Sequence, residues 1–288
     1  MDCPTVFLRS IREGWGHDGK PGSVGYSFFQ NALLAAVFAS IVCGIIGSYV
    51  VVKKMVSISG GISHAAFGGV GLGYLAGVNP ITGAFAFTIL VALGIGILKE
   101  KTSQNLDTLV GAVWAAGMAI GIVCISLVPG YAPDLFGYLF GNILLVPASD
   151  LALMGGVSVV IVAVVALLFT QLQAVTFDEE YARVMNLPVT RLSLVLLVLI
   201  AITVVMLIRV VGIILVIALL TLPAATARKF TTRLWSMMVV SVLLGLVFST
   251  GGLWLSYLLD IPSGATIILL ATIGFAVSLF IPRPGSSE

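Results

Sequence analysis

Residues 57–77, SISGGISHAAFGGVGLGYLAG, decide how this chain is read. The stretch is long enough to cross a bilayer, because about 20 residues at ~1.5 Å of helical rise span ~30 Å of hydrocarbon. Yet it is dense in glycine and carries His64, one of only two histidines in the chain. On a helix, residues four apart share a ridge. Gly60, His64, Gly68 and Leu72 form one ridge, and Gly61, Ala65, Gly69 and Gly73 form the next. The second is an extended small-xxx-small pattern, which lets a neighbouring helix backbone approach closely. This helix therefore belongs inside a bundle. The glycines one turn before and one turn after His64 leave its ring standing over open space, as expected of a group facing a passage. Imidazole is the commonest zinc ligand and also suits iron, copper and nickel. The competing reading is that His64 hydrogen-bonds a backbone carbonyl or the neighbourhood of Ser63 and only fixes packing. A single imidazole also falls short of the roughly four ligands of a closed zinc site.

The rest of the chain supplies the setting. Of 288 residues, 59% are hydrophobic and 9% charged, with a mean hydropathy of +1.18. Soluble domains carry about 25% charged residues. So few charges cannot cover a water-facing surface, and the chain reads as an integral membrane protein. Nine stretches approach or reach spanning length: 28–52, 57–77, 81–98, 107–128, 151–172, 192–208, 210–227, 235–258 and 263–281. They lack the alternation of an outer-membrane barrel, so the spans are helices. The expected fold is all-α, a polytopic transmembrane bundle of 8–9 spans. The short gap at Arg209 is the least defined division.

Residues 1–27 form a tail, 28–281 the membrane domain and 282–288 a second tail. The first twenty residues, MDCPTVFLRSIREGWGHDGK, have no apolar core and no small-residue cleavage site, unlike a signal peptide. Cys3, Cys43 and Cys124 are odd in number and two lie in spans, which favours packing over a disulfide framework. Basic residues set the orientation. Under a nine-span count, Lys53, Lys54, Lys99, Lys101, Arg183, Arg191, Arg228, Lys229, Arg233 and Arg283 share one side, ten of the fourteen. That side is cytoplasmic, with the C-terminus on it and the N-terminal tail outside.

Two loops are more than turns. The external one, 129–150 (PGYAPDLFGYLFGNILLVPASD), has aromatics suited to the headgroup level. The internal one, 173–191 (QAVTFDEEYARVMNLPVTR), opens a short helix with Asp178, Glu179 and Glu180 at its positive N-terminus and closes it at Pro188. In the tail, GWGHDGKP at 14–21 nearly matches a phosphate-binding loop. Pro21 stands where a magnesium-holding hydroxyl belongs, and no α/β domain surrounds it. The chain is therefore not expected to hydrolyse ATP or to act as an enzyme.

With those residues in view, a resemblance becomes specific. GGISHAAFGGVGLGYLAGVNP resembles the second helix of the permease subunits of ATP-binding-cassette transporters for zinc, manganese and iron. YLFGNILLVPASDL (138–151), FDEEYARVMNLP (177–188), VVGIILVIALLTLPAATAR (210–228) and LDIPSGATIILL (259–270) look like the same family, in the same order. The similarity runs from about residue 30 to 281. It implies a type II importer-like permease, a homodimeric pore with an ABC ATPase pair beneath it and an extracytoplasmic metal-binding protein above. It places the chain in the inner membrane as a multi-pass protein, with no nucleic-acid partner. No cofactor is held permanently; the cargo is a divalent metal, zinc or manganese, with a lean to zinc because the intramembrane ligand is nitrogen. His64, Gly60 and Gly68 would line the metal pathway. Loop 173–191 would be the coupling segment, giving ATPase contacts to Asp178, Glu179, Tyr181, Ala182 and Leu187. Asp134 and Asp260 would lie at the external face, as cation attractors or simply as solvated caps.

One departure stands out. Many members carry aspartate four residues before the histidine, where this chain has Gly60. The site thus lacks its anionic half. Asn186, where the family's loop usually has glycine, is milder, since asparagine tolerates the left-handed region. Two alternatives remain: a permease for larger chelates such as iron–siderophores or cobalamin, and a secondary transporter acting without an ATPase. The paired acidic residues deep in spans that cotransporters often use are missing here.

Overall fold

The computed structural model describes residues 23–102, 105–128, 141, 143 and 146–282. Among these the chain is helical: α1 (Ser23–Val52), α2 (Val56–Leu75), α3 (Pro80–Lys101), α4 (Leu106–Ser126), α5 (Ala148–Leu167), α6 (Phe169–Phe177), α7 (Glu179–Val184), α8 (Val189–Val211), α9 (Ile213–Phe230), α10 (Leu234–Leu259) and α11 (Ser263–Phe280). All but α6 and α7 are long helices. Eight of them are long and apolar enough to cross a membrane. The remaining long helix is α2, of 20 residues. Its glycines and serines dilute its apolarity because it meets other helices rather than lipid.

Lipid cannot satisfy a backbone amide, so each span bonds within itself and its ends need separate provision. Asn79 accepts from the Ile81 amide, and Pro80 opens α3 where its missing N–H is harmless. Asn105 does the same for Asp107 at the start of α4. Buried hydroxyls return to their own helix: Ser48 donates to Gly44 O, Ser63 to Ser59 O and Thr203 to Leu199 O. These polar side chains therefore sit in the core without orphaned donors.

Two helices form the axis. Of their spanning windows, 72% of α1 and 67% of α8 is buried, against 22% for α5. α1 lies against α9, α10 and α5, while α8 lies against α3, α2 and α5. Around them α2 is wedged between α3 and α4, and α9, α10 and α11 form a second group. The small ridge of α2 serves both of its neighbours. Gly69 faces Gly83 and Ala84 of α3, Gly73 faces Pro80, and Gly61 faces Val110 of α4. Ala65 lies against Gly117 of α4. Backbone meets backbone at each of these points except Gly61, where the Val110 side chain comes first.

The division between the sixth and seventh spans is not at Arg209. α8 continues through it to Val211, and the chain breaks at Gly212, with φ 79 and ψ 159. That conformation is closed to side-chain-bearing residues and open to glycine. Gly141, also at positive φ, packs its backbone directly on Val211 and Gly212. The motif at 138–151 thus braces the one at 210–228. α9 then runs unbroken through Pro223, which is buried in it.

Candidate functional site

His64 lies in the middle of α2, half-buried. The glycine one turn before it behaves as read from the sequence: a Cβ at Gly60 would meet nothing within 4 Å. The glycine one turn after does not. A Cβ at Gly68 would meet the carbonyl oxygen of Gly117 at 2.7 Å and Phe87 Cε1 at 3.1 Å, so Gly68 is a helix-packing position. Nor does the ring stand free within a single chain. It stacks on Trp114 of α4, with centroids 4.1 Å apart and planes at 10°. The expectation of an open ring failed because it weighed only α2, whereas the partner comes from a helix 50 positions away.

Stacking holds an imidazole by its face and leaves its in-plane nitrogens unused. His64 Nδ1 is buried with no hydrogen-bond partner. Ser63 is not that partner; its hydroxyl donates to Ser59 O. An orphaned nitrogen on a fixed ring is a polar demand that the chain itself does not answer, and because it is buried a ligand reaches it only when the helices around it part. Among the described residues no three His, Cys, Asp or Glu side chains gather as a metal site. Cys43 and Cys124 are buried packing thiols without a disulfide. Among the described residues His64 is a single ligand there, about a quarter of a closed site.

Beside Trp114 the surface of α4 is small and exposed. Gly111, Ala112, Ala115, Ala116 and Ala119 are all open to the surroundings, and a Cβ at Gly111 would meet nothing within 4 Å. This is the i, i+4 pattern that admits another helix at short range.

The loop 173–191 folds as α6, the short helix α7 and the turn into α8. Asp178 Oδ1 accepts from the Glu180 and Tyr181 amides, both at 2.9 Å, and so caps α7. Asn186 takes the left-handed conformation at φ 57, letting the Leu187 amide reach back to Ala182 O at 3.0 Å. Ala182 has no exposed surface and Leu187 is packed against the core. These two seat α7 on the bundle; Ala182 is not available to a partner as the helix stands, and Leu187 is only partly covered. Tyr181 does face outward, 57% exposed, and sequence reading missed its neighbours Val184 (78%) and Met185 (57%). Together they form an apolar patch at the tip of the loop.

Glu179 points inward. Its Oε1 lies 3.0 Å from Lys53 Nζ and 3.6 Å from Lys99 Nζ, and Lys53 Nζ also donates to Ser193 Oγ at 3.0 Å. Burial raises the Glu179 carboxyl, but the two ammonium groups outweigh it and hold it below its ordinary value. At Lys53, whose side chain is 8% exposed, burial wins over the pull of Glu179 and the ammonium is depressed. The asymmetry follows exposure, since the lysine is the more desolvated partner. The cluster borders a cavity of about 390 Å³ that also reaches Arg183. It ties the α1–α2 turn, the end of α3 and the start of α8 to loop 173–191.

Asp260 is exposed and ends α10 in the left-handed region at φ 53. Asp134 lies outside the described residues, as does the tail segment 14–21.

The family model of the ABC 3 transport family matches residues 25–282. The chain belongs to that family. It is 48% identical over 258 residues to an uncharacterized membrane protein, slr2045, of Synechocystis, covering 90% of this chain and 92% of that one. It is 38% identical to the manganese transport system membrane protein MntC of Listeria monocytogenes, with 92% and 94% covered. Among solved structures it matches PsaBC from Streptococcus pneumoniae in complex with Fab, at a TM-score of 0.80, 33% identity and 96% coverage of each chain. As an ABC 3 family member, the chain is a multi-pass inner-membrane transport subunit with the fold of a type II importer permease, and not an enzyme.

Proposed function

We propose that this ABC 3 permease carries a divalent transition-metal ion inward, through a pore formed between two copies of the chain. The observation that carries this reading is the orphaned Nδ1 of His64, on a ring fixed against Trp114 at the edge of an exposed small-residue face. A two-fold interface along that face repeats every contact, so each copy brings one imidazole and one Gly60 void toward the axis. The cation must leave as readily as it enters, and sparse ligation suits conduction. Tyr181, Val184 and Met185 form the surface for a cytoplasmic ATPase, and Glu179 relays its motion to the helices beside the pore. A metal-binding protein delivers the ion at the outer face, where Asp260 sits.

Manganese is the proposed cargo, on the strength of the 38% identity to a manganese transport protein. Zinc is the second reading, favoured by the glycine at 60: with no carboxylate beside it, the pathway offers nitrogen alone, which suits zinc better than manganese. Proteoliposomes holding the permease, its ATPase and its binding protein decide. ATP-dependent uptake of manganese, abolished in His64→Ala with assembly intact, is expected. Uptake driven by an ion gradient without the ATPase, or undiminished in His64→Ala, would overturn the reading. Zinc uptake in preference to manganese would move the cargo to the second reading.

A further inference from the structure

The cytoplasmic rim holds two basic cavities of different character. The first is the one beside Lys53, Lys99 and Arg183, and it holds a carboxylate of its own, Glu179, which pairs with both lysines. The second, about 290 Å³, lies at the turn from α9 into α10 and is walled by Arg228, Lys229 and Arg233 with the hydroxyl-bearing Thr231 and Thr232. Among the described residues no carboxylate lines it. Three positive charges in one concavity repel each other, and a fold keeps such a group when an anion from outside completes it.

The surroundings say which anion. Arg228 and Lys229 also border a neighbouring cavity of about 240 Å³, whose other walls are Ala225, Phe275, Ser278 and Leu279. Arg228 donates to Val51 O at 3.1 Å and Lys229 donates to Ser278 O, so backbone carbonyls fix both side chains between the two spaces. The basic compartment and the largely apolar one thus share two residues. Phe177, Phe230 and Trp235 are exposed around the turn, and Trp235 meets Phe169 edge-on at 6.3 Å. Aromatics of this kind mark the headgroup level of a bilayer. Arg233 ends in solvent at the start of α10, whose first turn carries no acidic residue and no side-chain cap. Its free first-turn amides add to the positive field.

The geometry points to a binding site for one anionic phospholipid, its phosphate in the Arg228–Lys229–Arg233 cavity and its glycerol end against Phe275 and Leu279. A free phosphate would use only the basic half; a lipid uses both. The basic cavity is close to the ~300 Å³ lower bound of small-molecule sites, so it fits a headgroup and not a whole lipid. This holds whichever metal is carried.

The test is native mass spectrometry of the full-length purified chain, delipidated and titrated with phosphatidylglycerol or phosphatidylcholine of the same acyl chains. Wild type should retain phosphatidylglycerol preferentially. Arg233→Gln and Arg228→Gln should each weaken it about fivefold, the effect of one cation at a membrane surface. Arg233→Lys should restore it, and Lys99→Gln, at the cavity that holds its own carboxylate, should leave it unchanged. Phe275→Ala should weaken phosphatidylglycerol but leave competition by inorganic phosphate unaltered. No preference in wild type, or a preference that survives both glutamine variants, overturns the proposal. So does displacement of the lipid by equimolar inorganic phosphate, which makes this a free-anion site. Lipid retention unchanged in Arg233→Gln while ATPase recruitment falls would instead assign the cavity to an acidic side chain of that partner.

Discussion

Replacing Glu179 by glutamine removes one charge from a cluster that holds loop 173–191 to three other parts of the chain. The 3.0 Å separation from Lys53 corresponds to about 1.4 kcal/mol of attraction in bulk water and about 5.5 kcal/mol at an effective dielectric of ~20. The Glu179 side chain is 35% exposed, so solvent screening draws the value toward the lower end. Losing one partner also leaves Lys53 desolvated and unpaired, which adds to the loss. A net cost of about 2 kcal/mol follows, or a roughly 30-fold rise in local opening. Hydrogen exchange on the purified full-length chain reads it at the amides of Ala182 and Leu187, which are bonded to Asp178 O and Ala182 O. Lys53→Gln should also raise exchange, and the double variant should cost less than the two singles summed, because both break the same pair and the double leaves no buried ammonium unpaired. Exchange changed by less than about twofold, or additive effects in the double variant, would refute the idea that this pair holds α7 down. The pH dependence has a defined sign. Glu179 is depressed in the fold, so its contribution is complete above the ordinary carboxylate range and is lost as pH falls through the lowered value. At the alkaline end Lys53, also depressed, gives up its proton before an exposed lysine would, and the pair dissolves there too. Between those limits the variant and wild type should differ by a constant amount.

Other outcomes follow from the same structure. Asp178→Ala removes the α7 cap and should cost about 1 kcal/mol locally, seen as faster exchange at the Glu180 and Tyr181 amides with the rest of the chain unchanged. Gly69→Ala would set a methyl 2.7 Å from Ala84 Cα and Gly83 O and should destabilise by roughly 1–3 kcal/mol in thermal melts. Gly60→Ala meets open space and should be neutral or raise the melting temperature by the helix propensity gained, up to ~1 kcal/mol. Gly60→Asp places a carboxylate one turn from His64 and should tighten manganese binding while slowing its release in uptake assays. Faster release would remove His64 from the pathway. Trp114→Ala frees the stacked ring and should impair transport without abolishing metal binding.

Span lengths, the membrane setting and the close packing around α2 were legible because each depends on local pattern. Spacing by four marked Gly61, Ala65, Gly69 and Gly73, and they meet neighbouring backbones as that spacing implies. Asn186 likewise adopts the left-handed turn its side chain tolerates. What escaped was every contact made across long sequence separation. Nothing around Trp114 announces that it covers His64, and Lys53 and Glu179 are 126 positions apart. Gly60 and Gly68 look equivalent on paper, yet only one faces a helix; periodicity defines a face and not what lies opposite. The break at Gly212 was mistaken for one at Arg209 because a lone charge suggests a span end, while the required backbone conformation belongs to the glycine three residues on. Loop 173–191 was recognisable as a unit, but which residues turn outward depended on its seat. Ala182 fills that seat, so Tyr181, Val184 and Met185 are what remains to be touched.

The glycine contacts along α2 have a mechanical corollary. Helices that touch through their backbones have no side-chain cushion between them, so α2, α3 and α4 cannot slide past one another without collision. They swing as one stiff leaf. Lys53, three residues ahead of α2, and Lys99, in the last turn of α3, form the grip at one edge of it, and both close on Glu179. A push delivered there tilts the whole leaf, and the imidazole, midway along α2, travels with it.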